Sequence, residues 1–218
     1  MSKQRKVSNL LALGILALLT TGRAMHPYEM ANMLRRTGKE RDLNIKWGSF
    51  YTVVQNLDKY GFIEATGSDR DGRRPERTVY AITPAGRAEL LDWMRELVAV
   101  PEAAFPRFEA ALSVLGVLPP DEVTALLQAR VTAIEESVAS YRDEMAQSSP
   151  RVPRIFLIET EYTVAMLEAE AAWVRSLVAE LAKETMPGLA EWREFHATGQ
   201  IAPEFNALLD EGGTDTDR

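Results

Sequence analysis

The spacing of apolar residues changes twice within the first hundred residues, and this change limits the fold more than any other feature. Up to Gly61, apolar side chains recur every three or four residues, which is the period of a helix face. From residue 62 to residue 82, two short segments rich in β-forming residues flank a charged turn, which predicts a β-hairpin. After Thr83 the helical period returns. Three helices, two strands and a fourth helix therefore follow one another, which predicts a mainly α fold.

Local signals bound the first two predicted helices. The first covers Leu10 to Leu19, with Ser8 or Asn9 as its N-cap. The second begins at Pro27, because proline is favoured at a first helical position, and continues until Gly38. A polar connection follows, from residue 39 to residue 46.

The third predicted helix has two different faces. Ser49 caps it, and Gly61 ends it by adopting the left-handed conformation. Its predicted apolar stripe consists of Tyr51, Val54, Leu57 and Tyr60. The opposite side carries the short polar residues Ser49, Thr52, Gln55 and Asn56.

The hairpin and the fourth helix complete this part of the chain. Residues 62–66 and 78–82 are predicted strands, and residues 69–75 are predicted to form the turn between them. Thr83 as N-cap and Pro84 at the first helical position begin the fourth helix. Its predicted inner face consists of Leu90, Leu91, Met94, Leu97 and Val98.

Three helices followed by a hairpin form the winged variant of the helix-turn-helix, whose third helix enters the major groove of DNA. Ser49, Thr52, Gln55 and Asn56 are suited to reading base edges there, and Lys46 and Lys59 flank the helix where phosphates lie. Arg70, Arg73, Arg74 and Arg77, at or beside the hairpin tip, can bind phosphate or enter a narrow minor groove. Alternatively, Asp69, Asp71 and Glu76 pair with these arginines in a solvated turn. Joined to the preceding helices, the pattern favours DNA binding.

The charge distribution agrees with this interpretation. Residues 1–100 carry 16 Lys and Arg against 11 Asp and Glu, a net charge of +5. Residues 101–218 carry 9 against 21, a net charge of −12. A basic N-terminal part is suited to a polyanion, and the acidic part serves another purpose.

The N-terminus imitates a secretion signal. Lys3, Arg5 and Lys6 precede the apolar segment Leu10 to Leu19, but no small-residue cleavage site follows cleanly. The apolar segment is also too short to cross a bilayer, which takes about 20 residues. We therefore expect a buried first helix, a cytoplasmic protein and no membrane partner.

Five stretches form a distinctive set: Leu11 to Leu19, His26 to Met30, Trp47 to Tyr51, Leu57 to Glu64 and Tyr80 to Gly86. In order and spacing they resemble the PadR family of bacterial transcriptional regulators, over about residues 8 to 98. The resemblance implies a homodimer, usually a repressor, that binds a palindromic double-stranded DNA operator through its winged helix. It also implies that Tyr51 and the basic wing from Arg70 to Arg77 face the DNA backbone. Two departures are Pro27, where the family often has glycine, and the segment 49–56, from which no operator sequence is predicted.

The acidic part is predicted to be helical. Prolines at positions 101, 106, 119 and 120 indicate a boundary near residue 100. We predict a winged helix-turn-helix DNA-binding domain over 1–100, a helical dimerisation domain over 101–211 and a disordered tail over 212–218. A short helix around Phe108 to Leu115 precedes a long one that begins at Pro120 or Asp121.

The two long predicted helices differ in their apolar faces: the first carries a seam of alternating three and four spacing, and the second a wider face. The second runs from about Arg154 to Lys183, and its face is broader than one partner helix needs. We expect it to pack on the preceding helix and on a second subunit, as the resemblance also implies. The predicted dimerisation residues are Val131, Ile134, Val138, Tyr141, Ile158, Tyr162, Leu167, Trp173 and Leu177.

An enzyme needs convergent reactive groups, which this sequence does not offer. It has no cysteine, two histidines, and neither a glycine-rich phosphate loop nor a serine elbow. Glu159, Glu161, Glu168 and Glu170 are most simply a solvated helix surface. We expect no catalytic residue, metal or cofactor. The alternative to a regulator is a winged-helix protein-interaction module or scaffold without specific DNA binding.

The resemblance further implies a small hydrophobic or aromatic effector. Trp93 is the candidate ligand residue. It falls one turn earlier than the stacking tryptophan of drug-binding family members, so packing is the favoured interpretation.

Overall fold

The computed structural model describes residues 5–43, 45–69, 77–101, 106–148, 150 and 152–200. The chain divides into two compact units, Met1–Ala104 and Phe105–Arg218, which we call the N-terminal and C-terminal units. The N-terminal unit has the predicted order of helices around a two-stranded antiparallel sheet. Its elements are α1 (Leu10–Leu19), α2 (Pro27–Arg36), α3 (Lys39–Asp42), α4 (Phe50–Lys59), β1 (Ile63–Asp69), β2 (Arg77–Ile82) and α5 (Pro84–Ala99).

The caps of α1 and α2 satisfy backbone donors that a helix start leaves unpaired. The Asn9 side chain accepts a hydrogen bond from the backbone N–H of Leu11 at 2.9 Å. At α2, Nδ1 of His26 accepts from the N–H of Tyr28 at 3.1 Å, and Glu29 accepts from the N–H of His26 at 3.0 Å. This reciprocal capping box was not predicted, because histidine is not among the preferred cap residues.

The segment between α2 and α4 differs from the prediction. It contains the short helix α3, where a polar connection was expected, and a 3-10 turn at Trp47–Ser49 directly before α4. Ser49 does not cap α4, because its backbone is already helical and its hydroxyl donates to the carbonyl oxygen of Lys46 at 2.8 Å. A capping side chain needs an extended backbone at its own position.

One apolar core fills the N-terminal unit, and α4 packs into it along one side. The buried residues of α4 are Phe50, Val53, Val54 and Leu57. The prediction that Tyr51 and Tyr60 belong to this stripe is wrong, because both side chains are exposed. Tyrosine extends the apolar spacing without revealing which side of the helix is buried.

The inner face of α5 also differs from the prediction. Gly86, Leu90 and Trp93 are buried, and Leu97 packs partly against the same core. Leu91, Met94 and Val98 were predicted to face inward but are exposed. Both sets have helical spacing, so packing against α1 and the rest of the core decides between them.

The hairpin is joined closely to the helices around it. Ile63 pairs with Ile82 and Asp69 with Arg77, with an irregularity between Ala65 and Gly67. Met25 and Tyr80 exchange backbone hydrogen bonds of 3.0 Å, which connects the α1–α2 loop to β2.

The C-terminal unit is built on a pair of long helices. Its helices are α6 (Arg107–Leu112), α7 (Pro120–Ser148), α8 (Ile158–Ala182) and α9 (Leu189–Thr198), with 3-10 turns at Leu115–Val117 and Arg154–Phe156. Two apolar clusters lie between α7 and α8, one around Ile134, Val138, Val164 and Ala171 and the other around Val123, Leu127, Val174 and Leu181. Among the described residues, no helix is long and apolar enough to cross a membrane.

The predicted dimerisation residues fall into two groups. Six lie within the packing of the chain's own C-terminal unit: Val131, Ile134, Val138, Tyr141, Leu167 and Leu177. The other three, Ile158, Tyr162 and Trp173, are exposed on α8. Packing on α8 thus explains the apolar pattern of α7, whereas packing on α7 explains only part of the apolar pattern of α8.

Candidate nucleic-acid interface

The outward face of α4 presents a row of polar side chains. Tyr51, Thr52, Gln55 and Lys59 are exposed, and Ser49 and Asn56 are half-buried. Because the opposite face of α4 is buried in the core, this row has a defined orientation on the surface of the unit. Hydroxyl, amide and ammonium groups of this kind bind base edges and phosphates.

Lysines without a carboxylate partner flank α4. Within the described part of the chain, neither Lys46 nor Lys59 forms an ion pair, although Lys59 Nζ lies 5.7 Å from the ring centroid of Tyr60. Two other cations of the unit are paired, Arg23 with Glu29 at 3.2 Å and Lys39 with Asp42 at 2.9 Å. Within the described residues, positive charge without a carboxylate partner therefore lies at both ends of α4.

Two further cations near α4 were not predicted from the sequence. Lys6 Nζ lies 5.8 Å from the same Tyr60 ring that Lys59 approaches. The guanidinium carbon of Arg35 lies 3.8 Å from the ring centroid of Trp47. No local signal separates these residues from ordinary surface cations, because only the folded chain brings them near α4.

The hairpin carries the other predicted contacts. Asp69 and Arg77 are register partners where β1 ends and β2 begins. Arg70, Arg73 and Arg74 lie outside the described residues, so their role stays a prediction.

Trp93 is a core residue of the N-terminal unit. Its side chain is 5% exposed, and the guanidinium of Arg5 lies 5.5 Å from its ring centroid. A ring so enclosed has no free face for a ligand, which favours the packing interpretation.

The histidines and glutamates take structural roles. His26 caps α2, and Nε2 of His196 lies 2.9 Å from the carbonyl oxygen of Gly116. Glu161 pairs with Arg154, Glu168 with Arg142 and Glu170 with Arg130. Among the described residues, no three His, Asp or Glu side chains form a group that suits a metal ion.

Residues 15–92 match the model of the "Transcriptional regulator PadR-like family". Through this segment the chain is similar to that family. The match spans α2, α4, the hairpin and most of α5, which are the elements that position the polar row of α4. PadR-like proteins are transcriptional regulators and not enzymes.

Solved structures of transcriptional regulators share the fold over 79–80% of this chain. PadR of Bacillus subtilis in complex with operator DNA is 18% identical, with a TM-score of 0.63, over 79% of this chain and 99% of that one. The same protein in complex with p-coumaric acid gives 19% identity and a TM-score of 0.62, with equal coverage. The virulence activator AphA of Vibrio cholerae is 20% identical, with a TM-score of 0.60, over 80% of this chain and 99% of that one. No curated protein sequence matches the chain significantly.

Proposed function

We propose that this chain is a homodimeric repressor that binds a palindromic operator through α4 and the β1–β2 hairpin. The observation that carries the proposal is the polar row of α4 with Lys46 and Lys59 at its ends, which pair with no carboxylate among the described residues. A PadR-like protein of the same fold is described in complex with operator DNA, which supports the same use of the domain here. Such a protein acts where chromosomal DNA lies, in the cytoplasm of a bacterial cell.

The homodimer is supported by the outer face of α8. Apolar residues on the side opposite α7 follow helical spacing and are exposed: Ile158, Tyr162, Ala165, Met166, Ala169 and Trp173. A continuous apolar face of this length is rare on the surface of a monomer. A second copy of the same face covers it with matching chemistry, as a two-fold symmetric dimer requires.

An effector is the third part of the proposal. A neighbour of the same fold is described in complex with p-coumaric acid, which is a small aromatic acid. We propose a small hydrophobic or aromatic molecule as the ligand that releases this chain from DNA. The buried Trp93 is not its stacking platform.

The test begins with a footprint of the protein on the DNA upstream of its own gene. The affinity for a duplex that spans the footprint is then measured against salt concentration by fluorescence anisotropy. Lys46→Gln and Lys59→Gln are each expected to reduce the salt slope by about two, because each removes one phosphate contact from each subunit of the dimer. The matched control is Arg23→Gln, since Arg23 is already paired with Glu29. Arg73→Ala with Arg74→Ala tests the wing in the same assay.

Two outcomes would overturn the proposal. If the protein does not bind duplex DNA even at low salt, the winged helix is a protein-interaction module instead. If binding occurs and a reporter gene behind the footprinted site is less active when the regulator is deleted, the protein is an activator and not a repressor.

A further inference from the structure

The indole of Trp47 connects three helices of the N-terminal unit. It lies in the 3-10 turn directly before α4. The guanidinium of Arg35, near the end of α2, stacks at 3.8 Å from its ring centroid, and Nε1–H donates to Oε1 of Glu40 in α3 at 2.5 Å. The ring centroid also lies 5.7 Å from that of Phe50, the first residue of α4.

These contacts fix the indole from both a face and an edge. A stacked guanidinium restrains the plane of the ring, and a charge-assisted hydrogen bond restrains rotation within that plane. Phe50 is 2% exposed, so the ring that Trp47 approaches is itself held in the core. Trp47 therefore ties the start of α4 to α2 and α3.

We call Trp47 with its partners Arg35 and Glu40 the Trp47 bracket. The start of α4 depends on this bracket because the side-chain N-cap that usually supports a helix start is missing. Ser49 does not cap the helix, and Gly48 has no side chain to pack. Tyr51 and Thr52, both exposed, follow within the next turn of the helix. A rotation of the 3-10 turn is transmitted directly to these two side chains.

We propose that Trp47, held by Arg35 and Glu40, is a positioning residue that sets the orientation of the N-terminal turn of α4 against DNA. This inference rests on the proposed function of α4 as the DNA-reading helix. A base contact depends on precise placement, whereas general attraction to phosphates tolerates small rotations. Trp47 therefore contributes to the preference for the operator over other DNA.

The test compares two probes, the footprinted duplex and a duplex of the same length with scrambled sequence. Trp47→Leu is expected to weaken binding to the footprinted duplex by about tenfold, a change of about 1.4 kcal/mol, with an unchanged affinity for the scrambled duplex. Arg35→Gln also removes a positive charge, so we expect it to weaken binding to both duplexes and to lower the ratio of the two affinities by about tenfold. The double variant is expected to bind the footprinted duplex no more weakly than the weaker-binding of the two single variants, because both substitutions disrupt the same bracket. Trp47→Phe keeps the stacking surface and is expected to recover part of the loss.

Arg36→Gln is the matched control. It removes the same charge from the next residue of α2, which within the described chain has no aromatic ring in contact. If Trp47 has a positioning role, Arg36→Gln should change the affinities for the two duplexes by the same factor and leave the ratio of these affinities unchanged. A thermal unfolding measurement identifies any variant that is unfolded, and such a variant should lose affinity for both duplexes.

The outcomes separate this inference from the proposed function. If the parent chain binds neither duplex, the proposed function fails and the inference fails with it. If the parent discriminates between the probes and Trp47→Leu does so equally well, the inference alone is overturned. Additive losses for Arg35→Gln and Trp47→Leu would likewise contradict a shared bracket.

Discussion

Arg5 and Glu89 are 84 residues apart in the chain, yet Nη1 of Arg5 donates a hydrogen bond to Oε1 of Glu89 at 2.6 Å. Nη1 also lies 3.2 Å from Asp92 Oδ2, and Nη2 pairs with Glu96. The Arg5 side chain is only 4% exposed. The ion pairs of the largely buried Arg5 therefore hold the segment before α1 against one side of α5.

Removing this charge should destabilise the N-terminal unit. Burial by itself lowers the pKa of Arg5, but hydrogen bonds and charges from Glu89 and Glu96 together raise that pKa above its usual value. Arg5 thus stays charged across the ordinary pH range, and Arg5→Gln removes the cation that Glu89, Asp92 and Glu96 share. We expect a loss of about 2–4 kcal/mol in the free energy of unfolding, measured by urea denaturation. Lys6→Gln, at the exposed neighbouring residue, should change it by less than about 0.5 kcal/mol. Equal losses for the two variants would contradict this account.

Gly86 is required where α5 passes the loop after α4. A Cβ atom at this position would lie 1.9 Å from the carbonyl oxygen of Phe62 and 2.8 Å from its carbonyl carbon. Because both atoms are backbone, Gly86→Ala must shift α5 or the start of β1, and we expect a cost of at least about 3 kcal/mol. Ala85→Gly, at the exposed preceding residue, should cost only about 1 kcal/mol through helix propensity. Circular dichroism during urea denaturation compares the two, and an unaltered Gly86→Ala midpoint would refute the close approach.

The two groups of predicted dimerisation residues should respond differently to a charge. Tyr162→Glu, on the exposed face of α8, should yield monomers by light scattering with helix content preserved. Ile134→Glu buries a charge between α7 and α8, since Ile134 is 7% exposed, and should unfold the C-terminal unit instead. Ser140→Glu on the exposed side of α7 is the control and should remain dimeric. If Ile134→Glu gave a folded monomer and Tyr162→Glu stayed dimeric, Ile134 and not Tyr162 would lie in the dimer interface.

The Arg154–Glu161 pair should make a local contribution that depends on pH. Hydrogen bonds from Arg154, at 2.9 and 2.7 Å, hold the pKa of Glu161 below its usual value of 4.5. Because the folded-state pKa is lowered, the pair stabilises the start of α8 above the unfolded-state pKa, and this contribution is lost as pH falls through the folded-state pKa. An NMR titration should place the midpoint of Glu161 below 4.5. Arg154→Gln should move that midpoint upward, whereas Arg107→Gln should leave it unchanged; an unshifted midpoint in Arg154→Gln would exclude the pair as the cause.

Much of the N-terminal unit was predictable because its helix ends are encoded by neighbouring residues. Pro27 begins α2, Thr83 and Pro84 begin α5, and Gly61, at a φ of 71°, follows the end of α4. The Thr83 hydroxyl accepts from the N–H of Gly86 at 3.0 Å, as its capping role requires. Signals of this kind act within about one helical turn, so they can be recognised in a single sequence.

The features that escaped prediction depend on residues far apart in the chain. On α5, the sets Leu90/Trp93/Leu97 and Leu91/Met94/Val98 have equivalent spacing, and only contact with the rest of the core selects the first. On α8, the broad apolar surface divides into a buried side against α7 and an exposed side. Periodicity counts apolar positions but does not assign each to a partner.

The sequence by itself determined the order of helices and strands and the polar chemistry of α4, since both follow from residue types over a few positions. The tertiary structure alone decided which cations are paired with carboxylates. Arg5 is neutralised by carboxylates on α5, while Lys46 and Lys59 meet none within the described residues. Ion pairing depends on distances of a few ångströms between side chains that the linear chain leaves far apart. The same reason applies to Trp47, whose bracket with Arg35 and Glu40 exists only once α2, α3 and α4 have packed together.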